Sequence, residues 1–320
     1  MAKIAPYSEP RPSARARSRV GDLVFRGITF GAALLVLIIV MLALQQLLQG
    51  SGKVLQDQGS YFFTGRDWDI GEARYGALSL IWGTFATSLI ALLVGGVTGV
   101  VIAAFLVELA PKWLYKPVSF LVDLLAAIPS IIYGLWGVEQ LVPWLRTQLY
   151  PQLYDTLGWT GLFGSPQSTG FGLLTAGFVL GIMIIPTVAA VTREMLLVVP
   201  KSMRDGALAM GATRTEALKS VQIPYAIGGI LGGLILGLGR ALGETMAVTM
   251  LIGNNANISL DLFKPAATLS SMIATNFGEA DADFKAALIG LGFILFLLTM
   301  VINMVARMLV QRVRRKSGVS

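Results

Sequence analysis

Two residue types are missing from this 320-residue chain altogether, cysteine and histidine. Their absence excludes thiolate and imidazole metal sites, disulfide frameworks, cysteine nucleophiles and every histidine-dependent triad. No thiol remains to report a redox compartment. Charge is also scarce, at 13% of residues against about a quarter in a soluble domain. No Gly-x-x-x-x-Gly-Lys-Ser/Thr string occurs, so the chain has no phosphate loop with which to act as an ATPase itself. What it has instead is apolar side chain, 55% of residues, with a mean hydropathy of +0.71. One water-soluble core cannot hide so much, so lipid must solvate a large part of it.

The uncharged runs locate the spans. No charged residue falls between Arg26 and Lys53, Arg74 and Glu108, Asp155 and Arg193, or Lys285 and Arg307. Each gap holds the ~20 apolar residues that a helix needs to cross the hydrocarbon layer. Two further spans are interrupted by ionisable groups, 118–138 by Asp123 and 226–252 by Arg240 and Glu244. The chain is therefore expected to be an all-α polytopic membrane protein with six transmembrane helices, near 27–48, 77–107, 118–138, 170–191, 226–252 and 285–309. Residues 1–22, rich in Pro, Ser, Ala and Arg, read as a disordered basic tail. Residues 23–74 hold the first span and an outer loop, 75–310 the main transmembrane domain, and 311–320 a second basic tail. The first apolar run mimics a signal peptide, but it is long and Ala43-Leu44-Gln45 offers no small-x-small cleavage pattern, so a retained helix is expected.

The cations set the orientation. Eighteen of the 25 Lys and Arg residues lie in the two tails, in the loop after the second span and in the loop after the fourth. Six lie on the opposite loops, and Arg240 lies within a span. The positive-inside rule then places both termini in the cytoplasm. This accounts for the net charge of +7 and the pI near 9.7 without nucleic acid.

Three stretches carry candidate function. In the loop after the fourth span, 193–224, Asp205-Gly206-Ala207 is followed three residues later by Gly211 and nine residues later by Val221-Gln222-Ile223-Pro224. This pattern predicts a short helix, a glycine break and an amphipathic helix, with Pro224 where the chain turns into the membrane. It fits a helix lying on the membrane surface and a docking site for a soluble partner equally well. In the fifth span, Arg240 and Glu244 stand one helical turn apart, with Thr245 next to them. Two charges in one span cost about 3 kcal/mol each on insertion scales. A packing pair is one reading. The other is a translocation route on which Arg240 meets an anionic oxygen while Glu244 holds Arg240 and accepts a hydrogen bond from a protonated oxyanion. In the third span Pro129 removes a backbone donor, and Ser130 and Tyr133 can satisfy the freed groups or offer hydroxyls to a passing oxyanion. Asp123 reads as an interfacial carboxylate, and the glycine series Gly228, Gly229, Gly232, Gly233, Gly237, Gly239 and Gly243 as a helix-packing face.

The 205–224 segment resembles the Glu-Ala-Ala loop of ATP-binding-cassette importer permeases, with Ala207, Gly211 and Pro224 matching and Asp205, Gly206, Val221 and Ile223 substituting. The Arg240–Val248 string is similar to the fifth span of phosphate permeases of that class, and Met246-Ala247-Val248 separates it from the PstA-type partner subunit. Ala127–Gly137 and Leu269–Ala280 resemble the same family, over most of residues 75–310. The resemblance implies a MetI-like type I importer permease fold that moves inorganic phosphate inward. It implies a PstA-type second permease subunit, an ATPase dimer docked near 201–217, and an extracytoplasmic phosphate-binding protein. Magnesium–ATP belongs to the ATPase, and this chain binds no cofactor and catalyses no reaction of its own. A permease for sulfate or molybdate and an ion-coupled phosphate transporter are the alternatives.

Overall fold

The computed structural model describes residues 12–165 and 169–316 and is mostly helix. Residues 1–11, 166–168 and 317–320, parts of the two expected basic tails and of one outer loop, lie outside the described residues. The chain separates into two units, residues 1–50 and 51–320. The first contains α1, Pro12–Gly50. Its Gly21–Gly50 stretch has a mean hydropathy of 2.8, and Phe25, Phe30 and Ile38 on it are exposed. The helix begins inside the tail expected to be disordered. Pro12 is tolerated in a first turn, where its missing donor is unneeded, and the Ser-Ala-Arg run that follows has no further proline to stop it.

The second unit opens with two short helices, α2 (Gly52–Gln58) and α3 (Tyr61–Thr64), and a two-residue antiparallel hairpin pairing Trp68 with Tyr75. Then come α4 (Leu78–Leu109), α5 (Lys112–Ala127), α6 (Ser130–Thr160), α7 (Leu173–Leu197) and α8 (Lys201–Ala209). The chain closes with α9 (Arg214–Gly243), α10 (Met246–Leu251), α11 (Leu269–Asn276) and α12 (Ala282–Lys316). Among the described residues five helices, α1, α4, α7, α9 and α12, are long and apolar enough to cross a membrane, and the bent pair α5–α6 makes a sixth if it counts as one span.

The hub is α7. Of its most apolar window 61% is buried, against 33% or less for α4, α9 and α12. Glycine makes that close packing possible. A Cβ on Gly237 of α9 would lie 2.8 Å from Val188 on α7, one on Gly233 would lie 3.2 Å from Val191, and Gly229 faces Met195. Within the expected glycine series, the members spaced by four at 229, 233 and 237 thus form a packing seam. Gly232, Gly239 and Gly243 face open space.

Two expected spans are corrected. The span read at 118–138 is two helices meeting at 95°. Pro129 lacks a donor and forces Ile128 out of the helical region, to φ −69° and ψ 125°, so the helix cannot run through. The span read at 226–252 ends at Gly243 and resumes at Met246. Conversely, no turn occurs at Pro224. A wide π-type turn at Leu218–Gln222 comes just before the proline, and the helix runs on.

Candidate functional site

The loop between α7 and α9 is organised by its own sequence. α8 starts after Pro200 and ends in a Schellman turn, with Gly211 N–H donating to Leu208 O at 3.0 Å and Ala212 N–H to Ala207 O at 3.1 Å. Gly211 has φ +91°, a left-handed conformation that costs a side-chain-bearing residue dearly. Thr213 then caps α9 in a reciprocal box with Glu216. Ala207 faces inward at 5% exposure, while Asp205, Gly206, Met203 and Met210 are exposed. Val221 and Ile223 are half-buried near the 218–222 turn, on which α8 packs, and Pro224 is exposed. A small apolar core of Leu196, Val199, Leu218, Ala226 and Ile230 lies beneath.

A group that the spacing did not single out holds this loop down. Glu108, in the last turn of α4, is buried at 6% exposure. It accepts hydrogen bonds from Arg204 Nε at 2.9 and 3.0 Å and from Gln222 Nε2 at 3.1 Å. In the sequence Glu108 only marks the end of an apolar run. Its partners are 96 and 114 residues away.

The second zone is the gap between α9 and α10. Arg240 sits half-buried in the last turn of α9, where a cation complements the helix dipole. Its expected neighbour Glu244 has left the helix, with φ −69° and ψ 132°. The one-turn Arg240–Glu244 pair is therefore not formed, since both residues must be helical to share a face. Arg240 Nη1 instead donates to Thr187 Oγ1 on α7 at 3.4 Å. The Glu244 backbone carbonyl accepts from Ser270 Oγ of α11 at 2.8 Å, and its half-buried carboxylate has no ion-pair partner among the described residues. Thr245 stabilises the start of α10, its carbonyl accepting from Thr249 N–H at 2.9 Å.

The α5–α6 bend lies against the same gap. Tyr133 is buried, and its hydroxyl donates to Leu125 O at 2.9 Å, the carbonyl that Pro129 leaves without an amide partner four residues on. The expected backbone repair is therefore made by Tyr133, while the half-buried Ser130 hydroxyl makes no such bond. Gly134 brings α6 onto α10, where a Cβ would lie 3.2 Å from Ala247. Asp123 is exposed and 3.9 Å from Arg193. The site residues thus form two groups, a loop at one end of the bundle and a polar break in its interior.

The family model for binding-protein-dependent transport system inner membrane components matches residues 95–315. A phosphate transport system permease protein of Xylella fastidiosa is 41% identical over 98% of both chains. A protein described as a probable phosphate transport system permease, from Methanocaldococcus jannaschii, is 37% identical, covering 88% of this chain and 91% of its own. Among solved structures, an inward-facing methionine transporter matches with a TM-score of 0.54 at 21% identity, over 73% of this chain and 94% of its own. A bacterial transporter that imports the polysaccharide alginate matches with a TM-score of 0.58 at 18% identity, over 92% and 99%. These last two likenesses speak to the fold, which is that of ATP-binding-cassette importer permeases.

Proposed function

The chain belongs to the family of binding-protein-dependent transport system inner membrane components and is a permease subunit of a phosphate importer, and on that premise we propose how its residues serve transport. With a related second permease subunit it encloses a pathway that passes the break between α9 and α10. An extracytoplasmic binding protein delivers phosphate to the outer loops, and two ATPase subunits dock on α8 and its flanks. Magnesium–ATP is bound and hydrolysed by those subunits. Both termini face the cytoplasm.

The observation that carries the pathway reading is the unpaired geometry at the break. Arg240 is held from the side by Thr187 rather than neutralised by Glu244, so its remaining guanidinium donors are available for an anionic oxygen. The Glu244 carboxylate is an acceptor only. It favours an oxyanion that still carries a proton, such as hydrogen phosphate, and repels fully ionised sulfate. Ser130, Tyr133 and Thr245 border the same gap; Ser130 and Thr245 serve as secondary hydroxyl contacts, while the one proton of Tyr133 is engaged by Leu125 O.

Uptake of phosphate by the reconstituted importer tests this. Arg240→Gln is expected to lower uptake about a hundredfold, the scale of about 2–3 kcal/mol lost with one partner of a charged contact. Glu244→Gln is expected to let sulfate compete with phosphate. Normal uptake in an assembled Arg240→Gln complex refutes the pathway role, and unchanged exclusion of sulfate in Glu244→Gln refutes the selectivity role.

A further inference from the structure

The carboxylate of Glu108 is the point at which three elements meet. It belongs to the last turn of α4, it receives Arg204 from α8, and it receives Gln222 from the turn at the base of α9. The carboxylate side chain is 2% exposed and the arginine side chain 34%, so the contact is largely shielded from water and salt. Its surroundings give α8 little else to hold. A cavity of about 180 Å³ adjoins the pair, bordered by Val107, Leu196, Leu197, Val199 and Lys201. Of the helix itself, only Ala207 turns a buried apolar side chain inward.

An apolar contact of that size lets two helices slide, because dispersion and burial have no preferred direction. The Nε–H of Arg204, shared between both oxygens of the carboxylate and carried on a planar guanidinium, fixes direction as well as distance. A tilt of α8 therefore cannot occur without displacing the end of α4, and through Gln222 the base of α9. Those two helices pack along α7, and α9 ends at Arg240.

We propose that Glu108 and Arg204 are positioning residues for energy coupling, a buried polar latch that transmits motion of α8 to α4 and α9. Gln222 completes it by fixing the second carboxylate oxygen. The proposal rests on the reading of α8 as the ATPase-docking helix. It assigns to the pair a task separate from docking, since Asp205, Gly206 and Met210 are the exposed groups and Glu108 is out of reach of any partner.

The test uses the whole importer in proteoliposomes with its binding protein, measuring phosphate imported per ATP hydrolysed together with the melting temperature of the complex. Glu108→Met and Arg204→Met each leave one charge uncompensated, so both are expected to lower the melting temperature and the transport ratio. The double variant removes both charges and replaces a buried pair by apolar groups of similar size, which is often neutral for stability. Its melting temperature is expected to recover while phosphate imported per ATP stays about tenfold low, within the range of coupling between two sites. Recovery of both together overturns the proposal, because the pair then serves stability alone. If the Met variants do not assemble, Arg204→Lys decides, since it keeps the charge but not the planar, directional guanidinium. A wild-type transport ratio there also overturns the proposal. Docking is read separately by cross-linking from Met210→Cys, in a chain with no other cysteine. No cross-link to the ATPase overturns the docking reading and the latch with it. A cross-link accompanied by unchanged transport per ATP in the double variant overturns the latch alone.

Discussion

At the scale of single residues, Gly211 shows how a spacing in the sequence becomes a geometry. Its φ of +91° is demanded by the Schellman turn that ends α8, and a Cβ added there would meet nothing within 4 Å. The cost of replacing it is therefore backbone strain and not collision. Gly211→Ala is expected to destabilise the turn by about 1–2 kcal/mol, and Gly211→Pro to break it and release the ATPase. Gly206 is the opposite case, a glycine inside α8 with ordinary helical φ and open space around it. Gly206→Ala should add about 1 kcal/mol to helix stability. Co-purification of the ATPase with each variant checks both, and loss of the ATPase in Gly206→Ala would mean that a partner occupies that open space. These glycines were legible because capping and helix propensity are local. Glu108 was not, because a burial that depends on residues about a hundred positions away leaves no periodic trace. Thr187 went unnoticed for a similar reason. A threonine in an apolar helix is ordinary until the helix beside it places a guanidinium at its hydroxyl.

At the scale of elements, the sequence showed where helices are but not where they break. Hydropathy and charge gaps marked a stretch of each long helix, since the lipid requirement acts on the sum of a window. They did not set the ends: α1 begins at Pro12 and α9 at Arg214, well before the expected 27 and 226. The two missed breaks, near Pro129 and Glu244, are both places where the backbone leaves the helix inside an apolar run. Such a break is tolerated within a membrane only where other groups take up the freed donors and acceptors. Here those groups are Tyr133 for the Leu125 carbonyl and Ser270 for the Glu244 carbonyl. Neither partnership could be read from spacing alone, although Tyr133 at four residues past Pro129 hinted at the first. The roles are testable as stability effects. Tyr133→Phe removes one hydroxyl and leaves a shielded carbonyl without a donor, an expected loss of about 1–3 kcal/mol. Adding Pro129→Ala supplies an amide that can reach Leu125 if the bend straightens, so the double variant should recover stability while losing transport. Thermal melts of the purified complex, with uptake measured on the same preparations, separate the two effects. A Tyr133→Phe variant as stable as the parent would show that the carbonyl has another donor.

At the scale of the whole molecule, the bent pair α5–α6 decides the topology by parity. If it crosses the membrane once, the chain makes six crossings and its two ends share a side. If it enters and returns, there are five crossings and the ends are opposed. The charges choose between these. Lys112 and Lys116 precede the bend, Arg193 lies in the last turns of α7, and Lys201, Arg204, Arg214 and Lys219 follow it. A single crossing by α5–α6 followed by α7 brings both basic segments to one face, together with both tails. A re-entrant pair puts them on opposite faces, against the bias that orients such segments. A crossing is therefore expected even though the pair turns through 95°. The absence of native cysteine makes the experiment clean, because a single introduced thiol reports alone. Cysteines placed at Lys116, at Met210 and near the C-terminus should all resist a membrane-impermeant maleimide in intact cells and react after permeabilisation. One placed at exposed Trp159, beyond the bend, should react from outside. Labelling of Met210 from outside with Lys116 protected is the outcome that establishes a re-entrant pair. It would move α8 to the face opposite any cytoplasmic ATPase and so remove the docking surface on which the coupling reading depends.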